Sequence, residues 1–127
     1  MLGDSRVTPT IAVTDLERAK DFYENKLGLK LDSSMSDMDG VLYNAGEGTN
    51  LYIYVRPNAP KADHTLASFK VNNIEEAINE LSPKGVVFEH YDMPGLKTDN
   101  KGVATIGPAK SAWFKDPDGN ILSLLQV

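Results

Sequence analysis

"TIAVTDLERAKDFYENKLG", residues 10–28, decides the fold, because the chain repeats its pattern. The opening "TIAV" is rich in β-branched residues and reads as a short strand. Asp15 then stands where a helix N-cap belongs. Leu16, Ala19, Phe22, Tyr23 and Leu27 follow at helical spacing. Gly28 occupies the place of a glycine that ends a helix. The same order returns in "HTLASFKV" (64–71) and "NNIEEAINELSPKG" (72–85). There Asn73 is the expected cap, Ile74, Ala77, Ile78 and Leu81 share one face, and Gly85 closes the helix. Val13, Leu16, Glu17 and Ala19 recur at identical spacing as Val71, Ile74, Glu75 and Ala77.

Extended segments follow each helix. In the first half they are "LKLDSS" (29–34), "GVLYNA" (40–45) and "LYIYV" (51–55), the last two joined by a turn ending at Asn50. In the second half they are "VVFEHY" (86–91), "SAWFK" (111–115) and "ILSLLQV" (121–127), the last two joined by Asp116-Pro117-Asp118-Gly119 and Asn120. Matching Asn50 to Asn120 aligns Tyr43 with Trp113, each seven residues before its asparagine. The result is an internal duplication of a βαβββ unit, an α+β fold. Module one covers about 6–56, a Pro-rich linker about 57–63, and module two about 64–127, together one domain over 1–127. Residues 92–109 read as a long Gly/Pro loop, either a lid or a disordered excursion.

Composition narrows the function. The 127 residues contain no cysteine, which removes disulfides, zinc ribbons and thiol nucleophiles. A formal charge of −5 argues against a nucleic-acid surface. No apolar run is long enough to span a bilayer, and "MLGDSRVTPT" lacks a signal-peptide hydrophobic region, so the expectation is a cytoplasmic protein without a membrane partner. No Gly-rich phosphate loop or nucleophile elbow is present, and no cofactor is expected.

The two quoted halves resemble the vicinal oxygen chelate superfamily, which holds glyoxalase I, extradiol dioxygenases, fosfomycin-resistance enzymes and bleomycin-binding proteins. "IAVTDLERAKDFYENKLGL" (11–29) is similar to its first-helix signature, and "AWFKDPDGNILSL" (112–124) to its closing turn. The resemblance implies that the modules form a curved, barrel-like mixed sheet with helices outside, and that a small molecule binds in the cavity. It also implies a homodimer. Metal ligands in the family come from the first and last strand of each module. The matching positions are Thr8, Ile53, Leu66 and Ser123. Two hydroxyls and two aliphatic groups give a divalent transition metal no imidazole, carboxylate or thiolate donor, so no metal is expected at these positions.

By strand parity the cavity set is Thr8, Thr10, Ala12, Tyr43, Leu51, Ile53, Leu66, Ser68, Trp113, Ser123 and Leu125. It is apolar with a few hydroxyls, which suits recognition. Tyr43 and Trp113 would stack on a planar ligand, unless Trp113 is a core filler. Tyr52 and Tyr54 would then face the helix or a partner subunit. The leading expectation is a metal-free protein that binds a small apolar or aromatic molecule. The alternative is a glyoxalase-like lyase or isomerase, or a dioxygenase-related enzyme. It would use a displaced metal site such as His64, His90 and Asp92, or acid–base catalysis by His64, Glu89 or His90.

Overall fold

The computed structural model describes residues 1–32 and 39–127. The chain divides into two compact units, Met1–Pro60 and Lys61–Val127. Each carries one four-stranded mixed sheet and one main helix.

In the first unit, strand β1 (Thr10–Val13) leads into helix α1, which is α-helical over Leu16–Lys20 and continues in wider π-type turns over Asp21–Lys26. Asp15 caps it as expected, its Oδ1 accepting the Arg18 N–H at 3.1 Å. Leu27 N–H reaches back five residues to the Phe22 carbonyl at 3.0 Å. The wider turn narrows the angle between successive side chains, so Phe22 and Tyr23 are both buried. Gly28, at φ +79°, ends the helix, and Leu29 N–H closes onto the Tyr23 carbonyl. Strands β2 (Lys30–Leu31), β3 (Gly40–Asn44) and β4 (Asn50–Val55) complete a sheet of order β1-β4-β3-β2, with β1 parallel to β4. Of the extended stretch expected over 29–34, residues 33 and 34 lie outside the described residues.

The second unit repeats this plan. Strand β5 (Thr65–Lys70) precedes helix α2 (Ile74–Leu81), capped by Asn73 Oδ1 accepting the Glu76 N–H at 3.1 Å. The chain continues through β6 (Asp92–Met93), β7 (Leu96–Lys97), β8 (Val103–Ile106), β9 (Ala109–Lys115) and β10 (Ile121–Gln126). The main sheet has order β5-β10-β9-β8, the counterpart of β1-β4-β3-β2. The α+β duplication is therefore as expected. Each unit has its own open four-stranded sheet.

Two expectations are corrected. Residues 86–91 are not a regular strand, because only Phe88 bridges to Phe114 and only Glu89 N–H reaches the Trp113 carbonyl, at 2.8 Å. Nor is 92–109 an irregular loop. It holds the β6–β7 hairpin and all of β8, which continues along β9 where the Phe88 bridge leaves off. Asp99 organises the bend before β8, accepting the N–H groups of Val103 and Lys101. The Val103 hydrogen bond is the main cause that holds its carboxyl below the usual range.

Each helix packs on one sheet face and fills it with apolar side chains. Ile11, Val13, Val41, Tyr43, Leu51 and Ile53 meet Ala19, Phe22 and Tyr23 in the first unit. In the second, Ala112, Phe114, Leu122 and Leu124 are buried with Ile74, Ile78 and Phe88. Gly40 is buried beside Tyr52, and a Cβ there would strike the Tyr52 phenol, with its ring carbon Cζ only 2.6 Å away.

The turn 116–120 fixes the β9–β10 register. The buried Asp116 carboxylate accepts the N–H groups of Asp118 and Asn120 at 2.9 Å each, and the Asn120 side-chain amide at 2.8 Å. Asp116→Ala should therefore cost about 3 kcal/mol or more, since charged-acceptor hydrogen bonds are lost and donors are stranded. Urea unfolding is the measurement, and a midpoint equal to the wild type would contradict the clamp.

Tyr43 gives a pH-dependent test. Burial first, then the hydrogen bond to Glu24 at 2.8 Å, push its phenol well above the ordinary range. A raised folded pKa stabilises the fold fully below the unfolded value of about 10, and that contribution fades as pH rises further. Tyr43→Phe should cost about 0.5–1.5 kcal/mol at pH 7 and flatten the loss of stability above pH of about 10. Thermal melts of both proteins across pH 7–11 check the two effects.

Candidate functional site

The candidate site lies on the second sheet's face away from α2. Alternation along β9 sends Ala112 and Phe114 into the core and Trp113 to the other side. Trp113 stands directly opposite Ser123 on β10, and Ser123 opposite Ser68 on β5. Directly paired residues share a face, so these three make one row across three strands. Ser123 is 4% exposed, Ser68 is exposed, and Trp113 is half-buried. Trp113 is thus not a core filler.

The indole is held on two sides. Its Nε1–H donates to Thr65 Oγ1 at 3.2 Å, and the Tyr91 ring meets it edge-on at 5.6 Å and 78°. The hydroxyl oxygens of Ser68 and Ser123 are 2.6 Å apart. Leu66, half-buried, is the extra residue where the β5–β10 register shifts, since Ile121 faces Thr65 while Leu122 faces Ala67.

The first unit departs from expectation by one residue of register. Tyr43, Leu51 and Ile53 do not share a face with Thr10. Thr10 pairs with Tyr52 and Ala12 with Tyr54, whereas Ile11 pairs with Ile53. Tyr43 is fully buried, stacked on Tyr23 at 6.2 Å and bonded to Glu24 of the helix. The open face of this unit instead carries Thr10, Ala12, Leu42, Tyr52 and Tyr54. Tyr52 and Tyr54 stack at 6.3 Å with rings 8° from parallel, so they do not face the helix. Thr8 is exposed ahead of β1, its carbonyl accepting the Thr10 hydroxyl at 3.3 Å.

The cause is the turn. Ala45 N–H bonds the Thr49 carbonyl as Asp116 N–H bonds the Asn120 carbonyl, and Gly48 at φ +75° matches Gly119 at φ +88°. Thr49, not Asn50, is therefore the counterpart of Asn120. Tyr43 corresponds to Phe114, and Tyr52 rather than Ile53 to Ser123. The glycine spacing carried that signal, whereas the asparagine identity misled. Thr65 and Tyr91 are further site residues that the parity argument missed.

The titratable candidates are scattered. His64 precedes β5 instead of lying on it, and its side chain is 70% exposed beside Asp63 at 4.0 Å. His90 is exposed, and Glu89 is paired with Lys115 at 3.3 Å. Among the described residues no group of three or more His, Cys, Asp or Glu side chains is placed to hold a metal ion, so His64, His90 and Asp92 do not assemble. The family positions do not fit such an ion either. Leu66 is aliphatic, Ser123 is bonded to Ser68, Thr8 is a lone exposed hydroxyl, and the fourth place holds Tyr52 or the buried Ile53. No helix among the described residues is long and apolar enough to cross a membrane.

Comparison with known proteins agrees with this architecture. A Bacillus subtilis (strain 168) protein, YraH, is 24% identical over 92% of this chain and 94% of its own length. A Sphaerobacter thermophilus member of the glyoxalase/bleomycin resistance protein/dioxygenase superfamily is 26% identical, with a TM-score of 0.73 and full coverage of both chains. TnmS3, an antibiotic-binding protein from Streptomyces sp. CB03234, is 24% identical, with a TM-score of 0.71 over 99% of this chain and 98% of that one. The family model itself matches residues 6–124, and the chain belongs to the Glyoxalase/Bleomycin resistance protein/Dioxygenase superfamily.

Proposed function

We propose that this protein binds a small planar aromatic molecule without a transition metal, on the open sheet face of its second unit. One observation carries the reading. The sole tryptophan is kept out of the core and fixed in orientation by Thr65 and Tyr91, beside the hydroxyl-bearing strands β10 and β5. A pre-oriented ring offers stacking worth about 0.5–1.5 kcal/mol beyond area burial and loses little freedom on binding. Ser68, Ser123 and Thr65 supply the few polar groups that orient a ligand on such a surface. The antibiotic-binding protein of the same fold supports a role in sequestration or resistance. Acid–base catalysis has less support, because the candidate Glu89, bonded through its backbone to Trp113, is engaged by Lys115.

The homodimer is part of the same proposal. Each open sheet ends in edge strands, β1 and β2 in one and β5 and β8 in the other, and Ile106 on β8 is 56% exposed. Natural proteins cover such edges.

Titration with planar aromatics such as acridine should quench Trp113 emission, and Trp113→Ala should abolish binding with little loss of melting temperature. A core role would instead show as a loss of about 3–5 kcal/mol in the mutant, with wild-type emission indifferent to the compounds. Elemental analysis of the purified protein should find no stoichiometric zinc, iron, nickel or manganese. Light scattering should return about twice the 13.9 kDa chain mass, and a monomer at high concentration would exclude the dimer.

A further inference from the structure

We infer that the Ser68–Ser123–Trp113 row selects planar ligands that present a hydrogen-bond acceptor, in particular an aromatic carbonyl, and that Ser68 is the residue that donates to it. The inference rests on the proposed aromatic binding at the same face.

Each serine hydroxyl has one proton and can accept at two lone pairs. Across the 2.6 Å contact, one of the two must donate and the other accept. Ser123 is 4% exposed and, among the described residues, its hydroxyl bonds only Ser68. If Ser68 donated inward, the Ser123 proton would be stranded in the interior, at a cost of desolvation without a partner. If Ser123 donates outward, its proton is satisfied. The free proton is then that of Ser68, which is exposed. The low-energy order therefore runs from Ser123 to Ser68 to the open face. A hydroxyl that already accepts a hydrogen bond is polarised and becomes a stronger donor.

An indole N–H only donates, so Thr65 Oγ1 accepts from Trp113 and keeps its own proton to give. Thr65 is exposed. Glu89, whose backbone N–H bonds the Trp113 carbonyl, is occupied by Lys115 at 3.3 Å. The site therefore offers two outward hydroxyl protons, one from Ser68 and one from Thr65. An acceptor oxygen on a flat ring system matches these protons, and a ring system without one leaves them unpaired on binding.

Fluorene and 9-fluorenone test this, since they share a planar tricyclic frame and differ in a carbonyl oxygen. Their affinities are measured by quenching of Trp113 in the wild type, Ser68→Ala and Ser68→Thr. The ratio of fluorenone to fluorene affinity should fall roughly five- to tenfold in Ser68→Ala, as for loss of one hydrogen bond. Ser68→Thr, which keeps the hydroxyl, should retain the wild-type ratio. An unchanged ratio in Ser68→Ala, with both compounds still bound, overturns the selection by Ser68 and leaves aromatic binding standing. If neither compound binds the wild type, aromatic binding at this face and the selection both fail.

Discussion

Strand register is the constraint on which the rest of this structure depends. Side chains alternate across a sheet with a period of two, so one residue of slip exchanges the core face for the open face. In the second unit the register is clamped by one carboxylate. Asp116 gathers the backbone of its own turn and the amide of Asn120, and Lys115 is thereby held opposite Ile121. From that pairing it follows that Phe114 and Leu122 enter the core while Trp113 and Ser123 leave it. The first unit reaches an equivalent register by backbone means. Thr49 and Ala45 close the turn, Gly48 takes a left-handed φ, and Glu47 is forced to φ +55° beside it.

Much of the fold was legible because its signals are local. A side chain that caps a helix must sit at one position, and Asp15 and Asn73 both do. A glycine that ends a helix must tolerate positive φ, and Gly28 and Gly85 both adopt it. The duplication followed from these repeated boundaries. The candidate site was half legible for the same reason. In the second half, the turn residues placed Ser123 and Trp113 on one face and the structure agrees. In the first half, chemical identity at Asn50 stood in for geometry, and Tyr43 and Ile53 were assigned to the wrong face. Contacts between distant residues, such as Tyr91 against Trp113, have no counterpart in local spacing. The composite strand formed by the Phe88 bridge and β8 was also invisible, because a hairpin interrupts it.

The two open faces differ in chemistry although their strand plans match. One presents parallel phenol rings, at Tyr52 and Tyr54. The other presents one indole and a pair of hydroxyls. Duplication supplied the same scaffold twice, and divergence at a few outward positions gave each half its own surface. Fold and surface chemistry separate at this level, since the core positions hold the shape and leave the outward rows free to differ.

Gly40 shows how a residue that contributes no side chain can govern one of those surfaces. The space beside its Cα is filled by the Tyr52 phenol. Positions 40 and 52 are therefore a coupled pair under drift. A side chain at residue 40 requires the Tyr52 ring to swing aside, so what position 40 tolerates depends on what stands at 52. Order of substitution then matters as well as identity. A library that varies only the visible residues of this face would sample a landscape whose main restriction lies beneath it.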